Sequence, residues 1–340
     1  MSNNIKAYAA TEAKGKFEPF EYDPGELGSD QVEVEVAHCG ICHSDLSMLD
    51  NEWRMTEYPF VGGHEAVGRI TAVGGSVPEE KLKVGDVVGV GWISHSCLHC
   101  QRCLGGDQNL CPTQEATIVG RHGAFADRVR AQWTWATKLP EGVKPADAGP
   151  LFCGGITVFN PIVQNHVRPT DRVAVIGIGG LGHLALQFLD KWGCEVTAIS
   201  TSPDKEQEAR GLGADHFVNA KEEGALEKLV GSFDLILNTT NAGLDWDAYI
   251  AALSPRGTLH TVGVVSNAFG AEEVFPLIMG QKSLSATPLG SPATVHDMLA
   301  FCARHGINTM TEHVKMSQIN DAFDKLRNGD PRYRLVLDRD

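Results

Sequence analysis

Residues 172–189 read RVAVIGIGGLGHLALQFL, and this stretch decides the fold of one part of the chain. Arg172–Ile176 is a short apolar run, typical of a strand that is covered on both faces. Leu181–Trp192 has apolar residues at helical spacing. Between the two lies Gly177-Ile178-Gly179-Gly180-Leu181-Gly182, a G-x-G-x-x-G pattern in the strand-to-helix context that it requires. The stretch therefore predicts a unit that binds a dinucleotide.

Each glycine of this loop has a separate physical purpose. Gly177 permits the tight turn, Gly179 lets the backbone approach a pyrophosphate, and Gly182 allows close packing of helix on strand. Gly180 and Leu181 lead into the helix N-terminus, whose free N–H groups and partial positive charge favour phosphates. The alternative is a glycine-rich turn without a ligand, although folding alone does not ask for four glycines here.

The end of the second strand indicates which nicotinamide cofactor is bound. NAD sites usually carry an acidic residue there, about twenty residues further along, which holds the ribose hydroxyls. This strand ends instead at Ser200, followed by Thr201, Ser202 and Lys205. Hydroxyls and a cation suit the 2′-phosphate of NADP(H), which a carboxylate would repel, although Asp204 is a nearby complication. The alternative is that Ser202 caps the next helix and Lys205 is solvated.

Strand and helix signals alternate after Cys153. They predict strands over Glu195–Ser200, Phe233–Asn238 and Gly257–Gly263, and a helix over Lys205–Leu212. Such alternation implies right-handed crossovers and a doubly wound parallel sheet. We expect an α/β cofactor domain over residues 153–290.

The rest of the chain is β-rich. The sequence predicts strands over Gln31–Val36, which alternates at period two, and over Val67–Val73, Val84–Val90 and Tyr333–Leu337. From about Ser291 the chain returns to the first lobe. We therefore expect a discontinuous catalytic domain, residues 1–152 and 291–340, into which the cofactor domain is inserted.

Composition and charge exclude several classes of protein. The 340 residues are 42% hydrophobic and 21% charged, which is typical of a globular protein, and the formal net charge is −14. Nucleic acids and anionic membranes need clustered cations, so we expect neither as a partner. Met1–Ala10 has no apolar stretch behind a basic segment, so we expect no secretory signal and a cytoplasmic protein. Its nine cysteines are then expected to be reduced or metal-bound.

Four of these cysteines form a C-x₂-C-x₂-C-x₇-C run within fifteen residues, at Cys97, Cys100, Cys103 and Cys111. Two-residue gaps let thiolates on one tight loop converge on a single ion. Four soft sulfur ligands leave no open position, which favours a structural zinc site.

A second set of possible ligands is Cys42, His64 and Cys153. Two thiolates and one imidazole bind zinc and leave a fourth position open, as a catalytic site needs. Glu65 is a candidate transient ligand, and Asp45 is a candidate to accept the free N–H of His64. Taken singly, a cysteine is more often a small buried hydrophobe, as we expect for Cys194 and Cys302. Cys39 and Cys42 also form a C-x-x-C, which leaves a thiol redox pair as an alternative.

Taken together, these motifs resemble the zinc-dependent medium-chain alcohol dehydrogenases. The order is Gly-Ile-Cys-His-Ser-Asp at 40–45, Gly-His-Glu at 63–65, the four-cysteine run, Cys-Gly-Gly-Ile-Thr at 153–157 and the glycine loop. Arg332-Tyr333-Arg334-Leu335-Val336 extends the likeness. Within the family, the chain is similar to the cinnamyl alcohol dehydrogenase branch, and most similar to its bacterial NADPH-dependent aldehyde reductases of broad specificity.

The resemblance implies a GroES-like first lobe, a Rossmann second lobe, two zinc ions per chain and a homodimer. It also implies that Ser44 hydrogen-bonds the substrate oxygen, while His43, Thr157 and Arg334 lie against the cofactor, Arg334 at the pyrophosphate. The histidine that relays protons in the animal-type enzymes has no counterpart, and Ser47 and Met48 stand near its position. The sequence also offers a group of apolar side chains near the ligands that could form the substrate wall or pack in the core: Trp53, Tyr58, Trp92 and Ile93.

The predicted activity is reversible hydride transfer between NADP(H) and an aldehyde or primary alcohol, assisted by zinc. Three alternatives remain open at this point. One is an NAD-dependent polyol or secondary-alcohol dehydrogenase of the same superfamily. Another is a metal-free quinone reductase of the same fold, which would have no need of these cysteines. The last, from a different class, is a non-catalytic zinc module that binds a partner through the four-cysteine loop.

Overall fold

Two units make up the fold that the computed structural model describes for residues 4–329 and 331–340. The first comprises the described residues of Met1–Ile156 and Gly290–Asp340, and the second is Thr157–Leu289. Met1–Asn3, part of the stretch in which the sequence predicts no secretory signal, lie outside the described residues. The first boundary falls four residues later than the sequence predicts, so Cys153 belongs to the first unit.

The second unit is built on a six-stranded parallel sheet. Its strands are β10 (Arg172–Ile176), β11 (Glu195–Ser200), β12 (His216–Asn219), β13 (Phe233–Asn238), β14 (Leu253–Thr261) and β15 (Ser283–Ala286). The spatial order is β12-β11-β10-β13-β14-β15. In this order the strands run outward in both directions from the neighbours β10 and β13, the reversal that defines a doubly wound dinucleotide-binding sheet.

Helices connect these strands, in agreement with the alternation read from the sequence. They are α5 (Gly182–Trp192), α6 (Glu206–Gly211), α7 (Trp246–Ala252) and α8 (Phe275–Gly280). The helix predicted over Lys205–Leu212 is shorter, because Pro203 starts a 3₁₀ turn over Pro203–Lys205 before α6. The strand predicted over Gly257–Gly263 is β14, which begins four residues earlier, at Leu253, and ends two residues earlier, at Thr261.

The first unit contains a seven-stranded sheet with the order β16-β17-β3-β4-β5-β9, and β8 also pairs with β3. These strands are β3 (Gln31–Ile41), β4 (Ala66–Val73), β5 (Val87–Val90), β8 (Arg128–Gln132), β9 (Ala136–Lys138), β16 (Thr311–Lys315) and β17 (Arg334–Asp338). Two small antiparallel sheets pair β1 (Ile5–Ala9) with β2 (Glu18–Tyr22), and β6 (Ile93–His95) with β7 (Glu115–Ala116). A buried apolar core lies against this β-rich framework.

The helices of the first unit are short apart from α9. They are α1 (His43–Leu49), α2 (Gln101–Leu104), α3 (Pro145–Ala148), α9 (Pro292–His305) and α10 (Ile319–Arg327), while α4 (Gly154–Gln164) begins in the first unit and ends in the second. Across residues 4–329 and 331–340, none of the helices combines the length and apolar character needed to cross a bilayer.

Two strands of the first unit differ from their predicted bounds. β3 continues beyond Val36 to Ile41, because a register shift between Val36 and His38 lets the ladder continue after the period-two alternation ends. β5 begins only at Val87, because Gly85 has a positive φ of 96° and Asp86 donates its backbone N–H back to Lys83. The extension of β3 matters for the site, since it carries the chain to Cys42.

Candidate active site and metal centres

Asp45 is the organising residue of the first candidate site. Cys42 follows β3 and stands at the N-terminus of α1, and its backbone N–H donates to Asp45 Oδ2 at 2.9 Å. The other carboxylate oxygen, Oδ1, accepts the backbone N–H of Gly63 at 2.9 Å and lies 3.0 Å from His64 Nδ1. The carboxylate is fully buried, so these bonds act in a low dielectric and are correspondingly strong.

His64 is held with one ring nitrogen committed and the other available. Donation of Nδ1–H to Asp45 leaves the lone pair on Nε2, which is buried and has no hydrogen-bond partner among the described residues. A buried acceptor without a partner is costly, and a metal ion would satisfy it. The ring packs edge-on against Trp92, with the ring centroids 4.9 Å apart.

Cys153 completes the group that the sequence predicts. Its Sγ lies 3.7 Å from Cys42 Sγ, and one ligand atom from each of Cys42, His64, Glu65 and Cys153 lies within 4.8 Å of the others. Sulfurs about 3.8 Å apart are what two Zn–S bonds of about 2.3 Å give at a tetrahedral angle. Phe152 fixes this segment on β5, where Gly89 provides the space, since a Cβ there would lie 2.0 Å from the Phe152 ring. The residues present fit a zinc ion.

Hydrogen bonding prepares the Cys42 sulfur for ligation. The pKa of Cys42 lies well below the ordinary thiol value, because Cys153 donates a hydrogen bond to its sulfur and, against the effect of burial, Arg334 and His64 favour the thiolate. The thiolate is the form of cysteine that binds metal. The pKa of the Cys153 thiol is raised for the converse reason, since it is the donor of that hydrogen bond and is buried.

Glu65 and Arg334 form a buried ion pair beside these ligands. Burial raises the pKa of Glu65 to about 7, despite the opposing effect of the Arg334 guanidinium. Glu65 Oε2 and Arg334 Nε have no hydrogen-bond partner among the described residues. Gly40 makes room for the carboxylate, since a Cβ there would lie 2.0 Å from Glu65 Oε2. The sequence did not predict this pair, and the assignment of Arg334 to a cofactor pyrophosphate stays a prediction.

Other predicted residues of this site occupy α1. Ser44 Oγ lies 3.7 Å from Cys42 Sγ, and His43, the first residue of the helix, is exposed. Ser47 Oγ donates to Glu52 Oε2 at 2.7 Å, and Met48 is fully buried in the core. Neither of these two residues offers the ring nitrogens of a proton-relaying histidine.

The candidate wall residues divide between two environments. Trp92 contacts His64, and Trp53 packs edge-on against Trp92 with the centroids 6.0 Å apart. Tyr58 instead donates its hydroxyl to a backbone oxygen of α1, that of Leu49, at 2.9 Å, and Ile93 is buried. Of the four, Trp92 is thus the one in direct contact with a candidate ligand.

Three cysteines outside the two ligand groups lie in buried surroundings. Cys39 is fully buried, and burial raises the pKa of its thiol well above the ordinary value. A redox pair needs a reactive thiolate, so this environment argues against the Cys39–Cys42 alternative. Burial raises the pKa of both Cys194 and Cys302 to about 12, as expected for core cysteines.

The four-cysteine loop converges as its spacing predicts. One sulfur from each of Cys97, Cys100, Cys103 and Cys111 lies within 4.8 Å of the others. The Cys97–Cys103 and Cys100–Cys111 sulfurs are 3.9 Å and 4.0 Å apart. The backbone N–H of Cys100 donates to Cys97 Sγ at 3.3 Å, so the loop itself stabilises charge on sulfur. Four sulfurs at these separations fit a closed tetrahedral zinc site.

The glycine loop of the second unit has the backbone geometry that the predicted roles of its glycines require. Gly177 has a positive φ of 87°, and a Cβ on Gly182 would lie 1.9 Å from the Gly177 carbonyl oxygen. A Cβ on Gly179 would meet no atom within 4 Å, so the backbone there is open to a ligand. The loop follows β10 and leads into α5 at the point where the strand order reverses, which is where such sheets bind nucleotides.

Thr239 supports this loop and was not predicted from the sequence. Its hydroxyl lies 2.9 Å from the Ile176 oxygen and 2.8 Å from the Gly177 oxygen, and it follows β13 directly. The signal that could have found it is the polar run Asn238-Thr239-Thr240-Asn241 at the end of a buried strand.

The residues after β11 lie where a choice between cofactors could be made. Lys205 Nζ donates to the Ile178 oxygen of the glycine loop at 2.7 Å. Ser200 is buried, and its Oγ accepts the backbone N–H of Ser202 at 3.1 Å. The side chain of Ser202 makes no capping hydrogen bond to the 3₁₀ turn that follows it. The structure therefore differs from the alternative, since the Ser202 side chain does not cap a helix and Lys205 is bonded to the glycine loop rather than free in solvent.

Thr157 and the exposed pair Thr201 and Asp204 complete the predicted set. Thr157 is half-buried on α4 within the second unit. Thr201 and Asp204 are exposed around the start of the 3₁₀ turn.

Comparison with known proteins gives the family. Residues 28–141 match the alcohol dehydrogenase GroES-like domain, and residues 180–304 match the zinc-binding dehydrogenase family. Aldehyde reductase AdhA of Synechocystis sp. is 54% identical over 98% of both chains. Mannitol dehydrogenase of Petroselinum crispum is 38% identical over 94% of this chain and 97% of its own.

Solved structures agree with the sequence relatives. A cinnamyl alcohol dehydrogenase from Sorghum bicolor superposes with a TM-score of 0.92 at 35% identity, over 98% of this chain and 97% of that one. The protein CAD from Helicobacter pylori, complexed with NADP(H), superposes with a TM-score of 0.89 at 26% identity, over 99% of both chains.

The fold and these comparisons define a zinc-type dehydrogenase with a GroES-like and a Rossmann domain, and the predicted fold class is confirmed. The chain belongs to the zinc-dependent alcohol dehydrogenase family. Its relatives are aldehyde reductases and cinnamyl and mannitol dehydrogenases, so its function is that of an alcohol dehydrogenase or aldehyde reductase.

Proposed function

We propose that the protein is an NADPH-dependent aldehyde reductase that also oxidises primary alcohols. The observation that carries this proposal is the buried, unpartnered His64 Nε2, which lies in one group with the sulfurs of Cys42 and Cys153. Three such ligands bind zinc with a fourth position left for substrate. The four-cysteine loop would hold a second, structural zinc ion.

The chemistry divides between the bound groups and the chain. When bound, zinc supplies a Lewis acid for the carbonyl oxygen, and the nicotinamide supplies the hydride. Asp45 orients His64 and keeps its tautomer, and Ser44 gives the proton of its hydroxyl to the product oxygen while it takes another from water. Glu65, with Arg334 as its counter-ion, would offer a further carboxylate to the zinc ion. Trp92 contributes an apolar wall that suits an aldehyde.

The preference for NADP(H) rests on charge at the end of β11. Lys205 is held at the glycine loop by its bond to the Ile178 oxygen, and Ser200 stands where NAD sites carry an acid. Both features favour a 2′-phosphate. His43, Thr157, Thr201 and Ser202 are the other proposed cofactor contacts, with Arg334 at the pyrophosphate.

Exchange of Ser200 for aspartate tests this preference. Ser200→Asp places a carboxylate beside the 2′-phosphate, so we expect kcat/KM with NADPH to fall about tenfold or more relative to kcat/KM with NADH. Ser232→Asp is the matched control, because it adds the same charge just before β13, at the amino ends of the parallel strands, whereas Ser200 lies at their carboxyl ends. An unchanged ratio in Ser200→Asp would mean that another feature sets the choice of cofactor.

An assay panel tests the function as a whole. Aldehydes are offered with NADPH and NADH, and mannitol with NADP and NAD, before and after removal of metal by a chelator. We expect aldehyde reduction with NADPH that is lost on chelation and restored by zinc. Faster turnover of mannitol with NAD would establish the polyol dehydrogenase instead, a candidate that the 38% identity to a mannitol dehydrogenase favours.

We also propose a homodimer in the cytoplasm. β15 is an edge strand of the six-stranded sheet, and edge strands are templates for pairing with another chain. Apolar side chains between 57% and 69% exposed lie on α8 and at its N-cap, namely Val274, Phe275, Ile278 and Met279. Such a patch is typical of an interface, and a second copy of this chain is its simplest partner. The nine cysteines all lie within the described residues and none of them forms a disulfide, as a reducing compartment favours.

A further inference from the structure

A third group of possible metal ligands lies on the seven-stranded sheet, outside the two zinc sites already described. It consists of His38 on β3, His313 on β16 and Asp338 on β17, three strands that are neighbours in the sheet. His38 and Asp338 stand directly opposite each other in the antiparallel β3–β17 ladder. The backbone register therefore holds these side chains together before any ligand binds.

One ligand atom from each of these three residues lies within 4.8 Å of the others, close enough to reach a single ion after a small shift. Asp338 Oδ1 lies 2.7 Å from His38 Nδ1 and 2.9 Å from His313 Nδ1. The two rings are edge to face, with centroids 6.2 Å apart. Side-chain exposures of 25%, 30% and 35% for His38, His313 and Asp338 leave an entry path for the ion and room for water at its remaining positions.

Hydrogen-bond accounting shows that His313 needs a proton or a metal ion at each of its two ring nitrogens. Asp147 on α3 lies 3.2 Å from His313 Nε2 and 2.5 Å from the Thr311 hydroxyl. The Thr311 hydroxyl donates its proton to Asp147 in the shorter of these two contacts. The Nε2 atom of His313 must therefore carry a hydrogen of its own to donate to Asp147. Nδ1 then meets the Asp338 carboxylate either as an imidazolium, with a second proton, or as a metal ligand. A metal ion at Nδ1 would take the place of that second proton.

The charges around the group point the same way. Asp147 and Asp338 bring two carboxylates to His38 and His313, and no lysine or arginine among the described residues forms an ion pair with either carboxylate. In addition, the contact of His313 Nε2 with Asp147 is the arrangement by which a second carboxylate orients a metal-bound histidine and raises its basicity.

We propose that His38, His313 and Asp338 bind one divalent transition-metal ion, with Asp147 positioning His313. Imidazole nitrogen with one carboxylate selects zinc or nickel over magnesium or calcium, which prefer oxygen ligands alone. The ion would join β3, β16 and β17, and so tie the last strand of the chain to the sheet. Because it binds the folded chain only, it would raise the melting temperature progressively as its concentration increases. This site is independent of the proposed activity.

Titration of the zinc-loaded enzyme with Ni²⁺ tests the site. The protein, already carrying its two zinc ions, is titrated by calorimetry while its zinc and nickel contents are measured. We expect one equivalent of nickel per chain, with the zinc content unchanged and the melting temperature raised. His38→Gln and His313→Gln should abolish this equivalent, and Asp147→Asn should weaken it about 10- to 100-fold.

His216→Gln is the matched control. His216 Nε2 also lies 2.8 Å from a carboxylate, that of Glu195, but it belongs to no described group of three possible ligands. This variant should bind nickel as the parent does. The proposal is overturned if the unmodified protein takes up no nickel beyond its zinc, if nickel enters only by displacing zinc, or if His313→Gln binds it unchanged.

Discussion

At the scale of the residue, one buried carboxylate arranges two ligands that lie 22 residues apart in the sequence. Asp45 takes the backbone N–H of Cys42 on one oxygen and lies beside His64 on the other. The Cys42 backbone and the His64 ring are thereby held in the absence of metal, which lowers the cost of ordering them on binding. Glu65 supplies the second carboxylate of the site, and its negative charge is already paired with the Arg334 guanidinium.

Replacement of one thiolate ligand tests the catalytic site. Cys42→Ser removes a soft ligand at the open site while the fold is retained, so we expect activity to fall by more than about 100-fold, since loss of even an outer partner of a metal ligand costs 10- to 100-fold. Activity, zinc content and circular dichroism are the measurements.

Cys39→Ser is the control for this prediction. Cys39 lies three positions earlier, is buried, and donates to the Gly40 oxygen, a bond that serine can keep. We expect it to retain activity and both zinc ions. Equal loss of activity in the two variants would instead favour a thiol pair and contradict the metal assignment.

His260 makes stability depend on pH. It is buried on β14 between Ser285 and Thr287, and burial lowers its pKa to about 4. The unfolded chain, with a histidine pKa near 6.5, therefore binds more protons between pH 6.5 and 4, and stability falls as pH falls through this window. We expect this residue to contribute a loss of about 2 kcal/mol between pH 7 and 5.

Urea unfolding of two variants isolates the His260 contribution. His260→Asn should be less stable at pH 7 but should lose less stability on acidification than the parent. His296→Asn, which changes an exposed histidine, should keep the pH dependence of the parent. A parent-like slope in His260→Asn would show that other groups carry the acid sensitivity.

At the scale of the element, two short loops contain most of the recognisable chemistry. The glycine loop joins β10 to α5, and its Gly179 backbone is open to a ligand. The four-cysteine loop consists of α2 and a 3₁₀ turn over Gln108–Leu110, too little chain to have a core of its own. We therefore propose that its order would come from an ion bound by its four sulfurs.

Loss of one sulfur from this loop should act on stability rather than on chemistry. Cys100→Ser opens a closed site whose ligation energy is coupled to folding, so we expect one zinc ion instead of two and a melting temperature lower by several degrees. Zinc analysis and thermal unfolding check this expectation. Cys194→Ser, a buried cysteine outside both groups, is the control and should keep both ions. Unchanged melting and zinc content in Cys100→Ser would contradict a structural zinc.

At the scale of the whole molecule, the exposed apolar patch around α8 predicts the assembly. Phe275→Glu combined with Ile278→Glu places two charges in a patch whose side chains are more than half exposed. We expect light scattering after gel filtration to show a dimer for the parent and a monomer for this variant, because a buried unpaired charge at an interface is costly. Leu104→Glu, at a residue 76% exposed in the first unit, is the control and should remain dimeric.

What the sequence by itself determined is the chemistry that lies within short stretches. β10, the glycine loop and α5 occupy residues 172–192, and the four cysteines occupy fifteen residues, so local spacing alone dictates their geometry. Strand and helix alternation likewise determined the parallel sheet, because each crossover is local in sequence. The set of Cys42, His64 and Cys153 was predicted from combined motifs, and the structure brings these residues together.

Only the tertiary structure decided the contacts between residues distant in the chain. Glu65 meets Arg334 across 269 positions, and His38 meets Asp338 across 300. The pairing of β3 with β17 on one side and with β4 on the other sets both registers. Register depends on the packing of the whole sheet, and no local pattern encodes it. For the same reason Cys153 was predicted to open the cofactor domain, whereas packing of Phe152 on β5 places it in the first unit.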